Sequence, residues 1–291
     1  MMLLDKSTVK LLRIKFSIFL MPLFLLALSQ ATIILPFKTI LSFLIIHLLV
    51  YPSSNGYNSY IDKDEGSIGG LEKPPAPTKQ LFYTTILLDL LAIVLSAMVV
   101  NPFFALCVFI YIVASRAYSS REIRLKKYPY LGFLTVVVFQ GAFTFYMSYL
   151  GITGKLFELN RSGIYLLIGC SFQIAGAYPL TQIYQHKQDL NDGVITLSYK
   201  LGYMGTFVST ALMFFMCNVC YFLYFKSVHN EIDFYIIQLF FLPIILFFLF
   251  WLKQVYKDRS NADFRNTMRM NTIAAVCMNI CFIVLTVLNN L

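Results

Sequence analysis

The feature that most constrains this chain is a series of apolar runs too long for a soluble core. Nine lie at roughly 16–35, 37–54, 81–100, 102–118, 130–150, 164–183, 203–225, 234–252 and 270–288. A helix needs about 20 apolar residues to cross the hydrocarbon of a bilayer. Only 13% of the side chains are charged, against about 25% in a soluble domain, too few to clothe a surface facing water. The apolar content excludes disorder, and six cysteines in 291 residues exclude a disulfide scaffold. The expected fold is one all-α polytopic membrane domain over 1–291, with about nine transmembrane helices.

The basic residues orient it. With a cytoplasmic N-terminus, nineteen of the 23 lysines and arginines fall inside, and only Lys38, Lys155, Arg161 and Lys226 fall outside. The positive-inside rule therefore predicts a cytoplasmic N-terminus and an external C-terminus, in the cell or inner membrane if the chain is bacterial. The net charge of +9 is then a topology signal and implies no nucleic acid. The start imitates a signal peptide, ending at Ala27-Leu-Ser-Gln-Ala31. Its apolar run continues to Leu35, longer than a cleaved core of about 7–15 residues, and so reads as a retained first span. All six cysteines fall within predicted spans. Cys217-Asn-Val-Cys220 has no second pair or histidine near it in sequence, so it reads as apolar packing, not a redox or zinc pair.

Only Asp89 among the fourteen carboxylates lies well inside an apolar run. Polar residues gather instead after runs two and six. Read helically, His47, Tyr51, Asn55, Asn58 and Asp62 share one face, as do Tyr178, Gln182, Gln185 and Asp189. Polar stripes facing hydrocarbon are costly, so both should face a protein interior or a wet cavity. They end on the same membrane side, four spans apart, which predicts two halves facing each other across a central cavity. Converging carboxylate and amide oxygens suit Mg²⁺ rather than zinc, and Mg²⁺ favours one or two carboxylates plus substrate phosphates. Arg13 and the basic cluster Arg121–Lys127 lie on the same side, suited to the remaining phosphate oxygens.

At these residues the chain resembles the UbiA-type intramembrane prenyltransferases. That family shows Asn-x-x-x-Asp-x-x-x-Asp after its second helix and Asp-x-x-x-Asp-x-x-x-Gly, then Thr-Leu, after its sixth. Here Asn58-x-x-x-Asp62 matches the first motif, with Gly66 in its third position and Asp64 and Glu65 nearby. The second reads Gln185-x-x-x-Asp189-x-x-x-Gly193-x-x-Thr196-Leu197, followed by Leu201-Gly202. Tyr118-Ser119 leading to Arg124-Leu125-Lys126 resembles the family's basic loop after helix four, and Arg13 stands where the family often has an arginine. Gly66 and Gln185 depart from the pattern, each replacing a usual carboxylate.

The resemblance implies Mg²⁺-dependent transfer of an isoprenyl group from its diphosphate to an acceptor, often aromatic, within the bilayer. It implies Asp62 and Asp189 as metal ligands, with Asp64 and Asp192 as further candidates, and Asn58 and Gln185 orienting the metal's waters. Arg124, Lys126 and Lys187 would clamp the phosphates. Arg13, Tyr118 and Asn55 complete the expected substrate site. Asp89 is expected either to serve acceptor binding or proton removal there, or to bond one helix to another. Aromatic faces would steady an allylic cation. The segment 55–79 reads as a lid that excludes water, facing a second motif loop at 185–200. The implied partners are the isoprenyl diphosphate, an apolar or aromatic acceptor and the bilayer, with no obligate protein partner. Two other readings stay open. His47, Asp89, Gln140 and Gln173 inside spans would suit a transporter, although the polar density at the mouth, away from the midplane, favours the enzyme. The other is an enzyme that cyclises or hydrolyses the diphosphate without an acceptor.

Overall fold

Helices begin where the sequence supplies a cap or a proline. Asn101 Oδ1 accepts the Phe103 N–H at 2.7 Å and Pro102 follows, while Asn160, Thr196 and Asp263 cap later helices with their side-chain oxygens. The computed structural model describes residues 4–290, which contain helices and no β-strand. In chain order these are α1 (Lys6–Leu11), α2 (Met21–Ser29), α3 (Pro36–Leu44), α4 (Tyr51–Asp62), α5 (Lys79–Leu95), α6 (Pro102–Ser119) and α7 (Pro129–Val137). There follow α8 (Thr144–Thr153), α9 (Arg161–Gln182), α10 (His186–Asn191), α11 (Leu197–Ser227), α12 (Glu231–Lys257) and α13 (Phe264–Asn289). Wide π-helical turns at Ile45–Val50 and Val138–Phe143 join α3 to α4 and α7 to α8, and a third, Ser96–Val100, ends the α5 span.

Eight of the resulting helices are long and apolar enough to cross a membrane, or nine counting one bent pair. That bent pair corrects the first expected span. The run 16–35 is no straight helix: Lys6–Phe19 meets Met21–Ser29 at 41°. Pro22, near the start of α2, cannot continue the turn before it, and Arg13 adopts a left-handed φ of 47°.

Lipid-facing positions remain bare, Phe37, Met98 and Leu239 each being two-thirds or more exposed. Inside, small residues let backbones close in. A Cβ on Gly141 would sit 2.7 Å from Ser171 Cα, and one on Gly169 2.6 Å from the Tyr221 ring. Trp251 is fully buried with its indole N–H donating to Asn261 O at 2.8 Å. The helices surround a central cavity of about 330 Å³.

The π turn at Ile45–Val50 changes one expected stripe. A π turn carries an extra residue, setting what precedes it out of phase by up to about 100°. Asn55, Asn58 and Asp62 line the cavity, whereas His47, inside the turn, does not; Tyr51 keeps the phase of α4 but is buried between the His47 and Tyr111 rings. The His47 ring instead stacks on Phe43 at 4.5 Å, with Tyr51 edge-on at 5.1 Å.

Candidate active site

The mouth of the cavity is built from both halves of the bundle. Asp62 is the last residue of α4, where Lys63 takes a left-handed φ of 55° and ends the helix. Its Oδ2 accepts from Asn58 Nδ2 at 2.9 Å and also pairs with Lys126. Asn58 Nδ2 additionally donates to Ser119 Oγ at 3.1 Å. The other oxygen, Asp62 Oδ1, is buried with no protein partner.

Opposite stand α10 and the turn before it. The expected helical stripe is broken after Gln182, where α9 ends, yet Tyr178, Gln182, Gln185 and Asp189 all line the cavity. Burial raises the Asp189 carboxyl to about 7, with Asp64, Asp62 and Asp192 adding to the effect and Lys126 opposing it. Burial raises Asp64 as well, with Asp62 adding to it, while Lys126, Gln188 and Arg13 oppose. These carboxylates are short of positive charge.

The expected lid 55–79 is helical as far as Asp62, the end of α4; its remainder, 63–78, lies over this mouth and is stitched to both sides. Gln185 Nε2 donates to Ser67 O at 3.0 Å, and Gln188 bonds Asp64. Arg13 donates to Gly69 O at 3.2 Å and Asn55 O at 3.1 Å. The turn needs its glycines. Gly70 has φ 85°, and a Cβ on Gly69 would lie 2.8 Å from the Phe16 ring.

The structure thus brings Asp62, Asp64, Asp189 and Asp192 together with Asn55, Asn58, Gln185, Arg13, Tyr118 and Lys126. Tyr118 faces Tyr178, hydroxyl to hydroxyl. Three expected site residues lie outside the lining. Lys187 points away because the spacing of Gln185, Gln188, Asp189 and Asp192 turns the other face of α10 inward. Arg124 is spent on Asp192, whose other oxygen accepts from Arg121 at 3.1 Å. Asp89 does not line the cavity; it lies in a separate, partly buried network that bonds α5 to α6, the second of its two expected roles. Arg116 Nε donates to Asp89 Oδ2 at 2.9 Å, and Ser53 Oγ to Asp89 Oδ1 at 2.6 Å. The same guanidinium lies 3.9 Å over the Tyr57 ring.

Two contributors escaped the sequence reading. Gln188 was detectable, three residues beyond Gln185 on the same face. Ser67 acts through its backbone carbonyl, for which side-chain chemistry gives no signal.

Among the described residues no three His, Cys, Asp or Glu side chains converge as a ready metal cage. The unpartnered Asp62 Oδ1 and the proton-hungry Asp189 nonetheless fit a hard divalent cation that completes its shell with substrate oxygens. Below the mouth the wall turns aromatic and apolar, with Tyr111, Phe139, Phe214 and Phe241.

Comparison with known proteins agrees with this architecture. A family model described as the UbiA prenyltransferase family matches residues 19–273. A UbiA homolog from Archaeoglobus fulgidus bound to DMAPP and Mg²⁺ superposes with TM-score 0.70 at 14% identity, over 97% of this chain and 99% of that one. The same homolog bound to GPP and Mg²⁺ gives 0.70 at 15% identity, over 97% and 100%. A digeranylgeranylglyceryl phosphate synthase gives 0.60 at 17%, over 97% of each chain. No curated protein matches the chain significantly.

Proposed function

As the chain belongs to the UbiA prenyltransferase family, we propose that it transfers an isoprenyl group from a prenyl diphosphate to an apolar or aromatic acceptor within the membrane. The observation that carries this reading is the pairing of Asp62 and Asp64 with Asp189 across one cavity mouth, where an unpartnered carboxylate oxygen and a raised carboxyl await a cation. The A. fulgidus homolog bound to GPP and Mg²⁺ supports it.

Asp62 and Asp189 would hold Mg²⁺, which supplies charge neutralisation for the departing diphosphate. Lys126, paired with Asp62 within the lining, would turn to a phosphate oxygen once Mg²⁺ takes that carboxylate. Asn58 holds Asp62 in place, and Gln185 anchors the overlying loop by Ser67 O. That loop and the apolar wall exclude water from an allylic cation, with the rings of Tyr118 and Tyr178 bordering the mouth. Read with the positive-inside rule, this mouth faces the cytoplasm.

The test incubates membranes containing the protein with labelled isoprenyl diphosphates of several lengths and Mg²⁺, identifying lipid products by mass spectrometry. Asp62→Asn and Asp189→Asn should stay monodisperse and lose about 100-fold in turnover, the scale of one electrostatic stabiliser. Near-normal activity in both variants would refute the metal role. Diphosphate release with no prenylated lipid would select hydrolysis or cyclisation.

A further inference from the structure

The cavity has a second polar pole that the diphosphate chemistry does not use. Gln173 lies nine residues before the end of α9, about 14 Å from the mouth by helix rise. It is only 8% exposed yet lines the cavity. The fully buried Tyr221 donates its hydroxyl to Gln173 Oε1 at 2.6 Å. That bond orients the amide, taking one lone pair of its carbonyl, and its NH₂ is left as a donor at the cavity wall. Gln140 and Asn271 line the same cavity from other elements. Gln140 sits on the π turn Val138–Phe143 and lines the cavity together with Tyr111. Gly141 locks that turn against α9, because no Cβ fits over Ser171.

Charge decides what this pole can take. Among the described residues, the cations lining the cavity are Arg13 and Lys126. Both stand at the mouth, Arg13 on two backbone carbonyls and Lys126 on Asp62. The far end offers neutral amides, a phenol and apolar rings. A carboxylate or phosphate buried there would lack a counter-charge. A bare hydrocarbon tail would leave the Gln173 amide unsatisfied. We infer that the far end of the cavity receives an uncharged acceptor whose hydroxyl or carbonyl oxygens are held by Gln173 and by Gln140, which the Gly141–Ser171 contact sets beside it.

This inference rests on the prenyl-transfer reading and narrows its second substrate. Transfer to a phenol breaks the C1–O bond of the prenyl diphosphate, and both electrons leave with the diphosphate. A C–C bond forms ortho to the phenol oxygen, and the ring proton passes to solvent.

The test uses the full-length protein in lipid nanodiscs with Mg²⁺ and geranyl diphosphate, offering 4-propylphenol or 4-hydroxybenzoate as matched probes. The neutral phenol should be prenylated with kcat/KM at least tenfold higher than the carboxylate. Gln173→Leu and Gln140→Leu should each raise the KM for the phenol about fivefold, the scale of one neutral hydrogen bond, with binding of Mg²⁺–geranyl diphosphate within twofold. Equal or better use of the carboxylate probe overturns the inference without needing any variant. So does a variant that weakens diphosphate binding and spares the phenol KM, since the far end would then hold the tail. If the diphosphate binds and neither probe reacts, the inference also falls. Absence of Mg²⁺-dependent diphosphate binding is a separate readout and sinks the prenyl-transfer reading itself.

Discussion

Asp89→Asn keeps the shape of the side chain and deletes its charge, inside a network that a membrane span makes hard to rescue. Arg116 loses its counter-ion but keeps Ser53 Oγ at 3.1 Å, Thr85 Oγ1 at 3.3 Å and the face of Tyr57. The pair is well shielded, the side chains being 21% and 14% exposed. Removing one partner of a buried pair costs about 3–5 kcal/mol, and the residual exposure and the surviving contacts point to the lower end. At 2–4 °C per kcal/mol, that is a fall of roughly 6–12 °C in Tm. Activity per folded molecule should stay within about threefold, because Asp89 does not line the cavity. The double variant Asp89→Leu/Arg116→Met leaves no orphaned charge and should recover most of the loss. Thermal unfolding followed by size-exclusion chromatography, with turnover normalised to the monodisperse peak, reads both quantities. An unchanged Tm with abolished turnover would show Asp89 in the chemistry. An equal loss in the single and double variants would show that the cost comes from losing the pair itself and that the orphaned Arg116 charge adds nothing.

Gln185→Ala removes the bond to Ser67 O and should lower turnover by about tenfold, whereas Asp192→Asn should be mild because Arg121 and Arg124 already occupy that carboxylate. The opposite pattern, with Asp192 essential and Gln185 silent, would shift the second motif by one helical turn. His186, bonded to Ser198 Oγ at 2.8 Å and stacked on Tyr203, is lowered by burial from 6.5 to about 4. Between these values the unfolded chain binds the proton and the folded one does not, so stability should fall as pH drops from 6.5 to 4 and be whole above. His186→Gln should flatten that part of a Tm–pH curve; an unaltered slope would assign it elsewhere. Reporter fusions after Thr78 and Arg124 should read inside and those after Lys155 outside, and an external signal at Thr78 would move the mouth off the cytoplasmic side.

Long apolar periodicity made the bundle legible, because burial in lipid writes itself along 20 residues at a time. Asp62, Asn58 and Asp189 were legible for a related reason: a polar residue at the end of such a run needs a cavity. Local backbone geometry was not. Nothing in Ile45–Val50 distinguishes a π turn from an α turn, so His47 was placed on the wrong face. The break at Leu20 was hidden within an unbroken apolar run, Pro22 being its one sign. Arg116 lies near the end of the fourth apolar run, and its partner Asp89 lies 27 residues away in the third. Only the packing of α5 on α6 could join them.

The wide turns also bear on how such a chain can change length over generations. A π turn is an α-helix that has absorbed one additional residue without rotating the segments beyond it. Elsewhere in a span, a single-codon deletion would swing every later side chain by about 100° and scatter the faces already described. Within 45–50 or 138–143 the same deletion can be absorbed by healing the bulge, leaving Asn58 and Asp62, or the packing of α8, in phase. Those two windows are where homologous chains can differ by one residue in mid-membrane and still align on both sides.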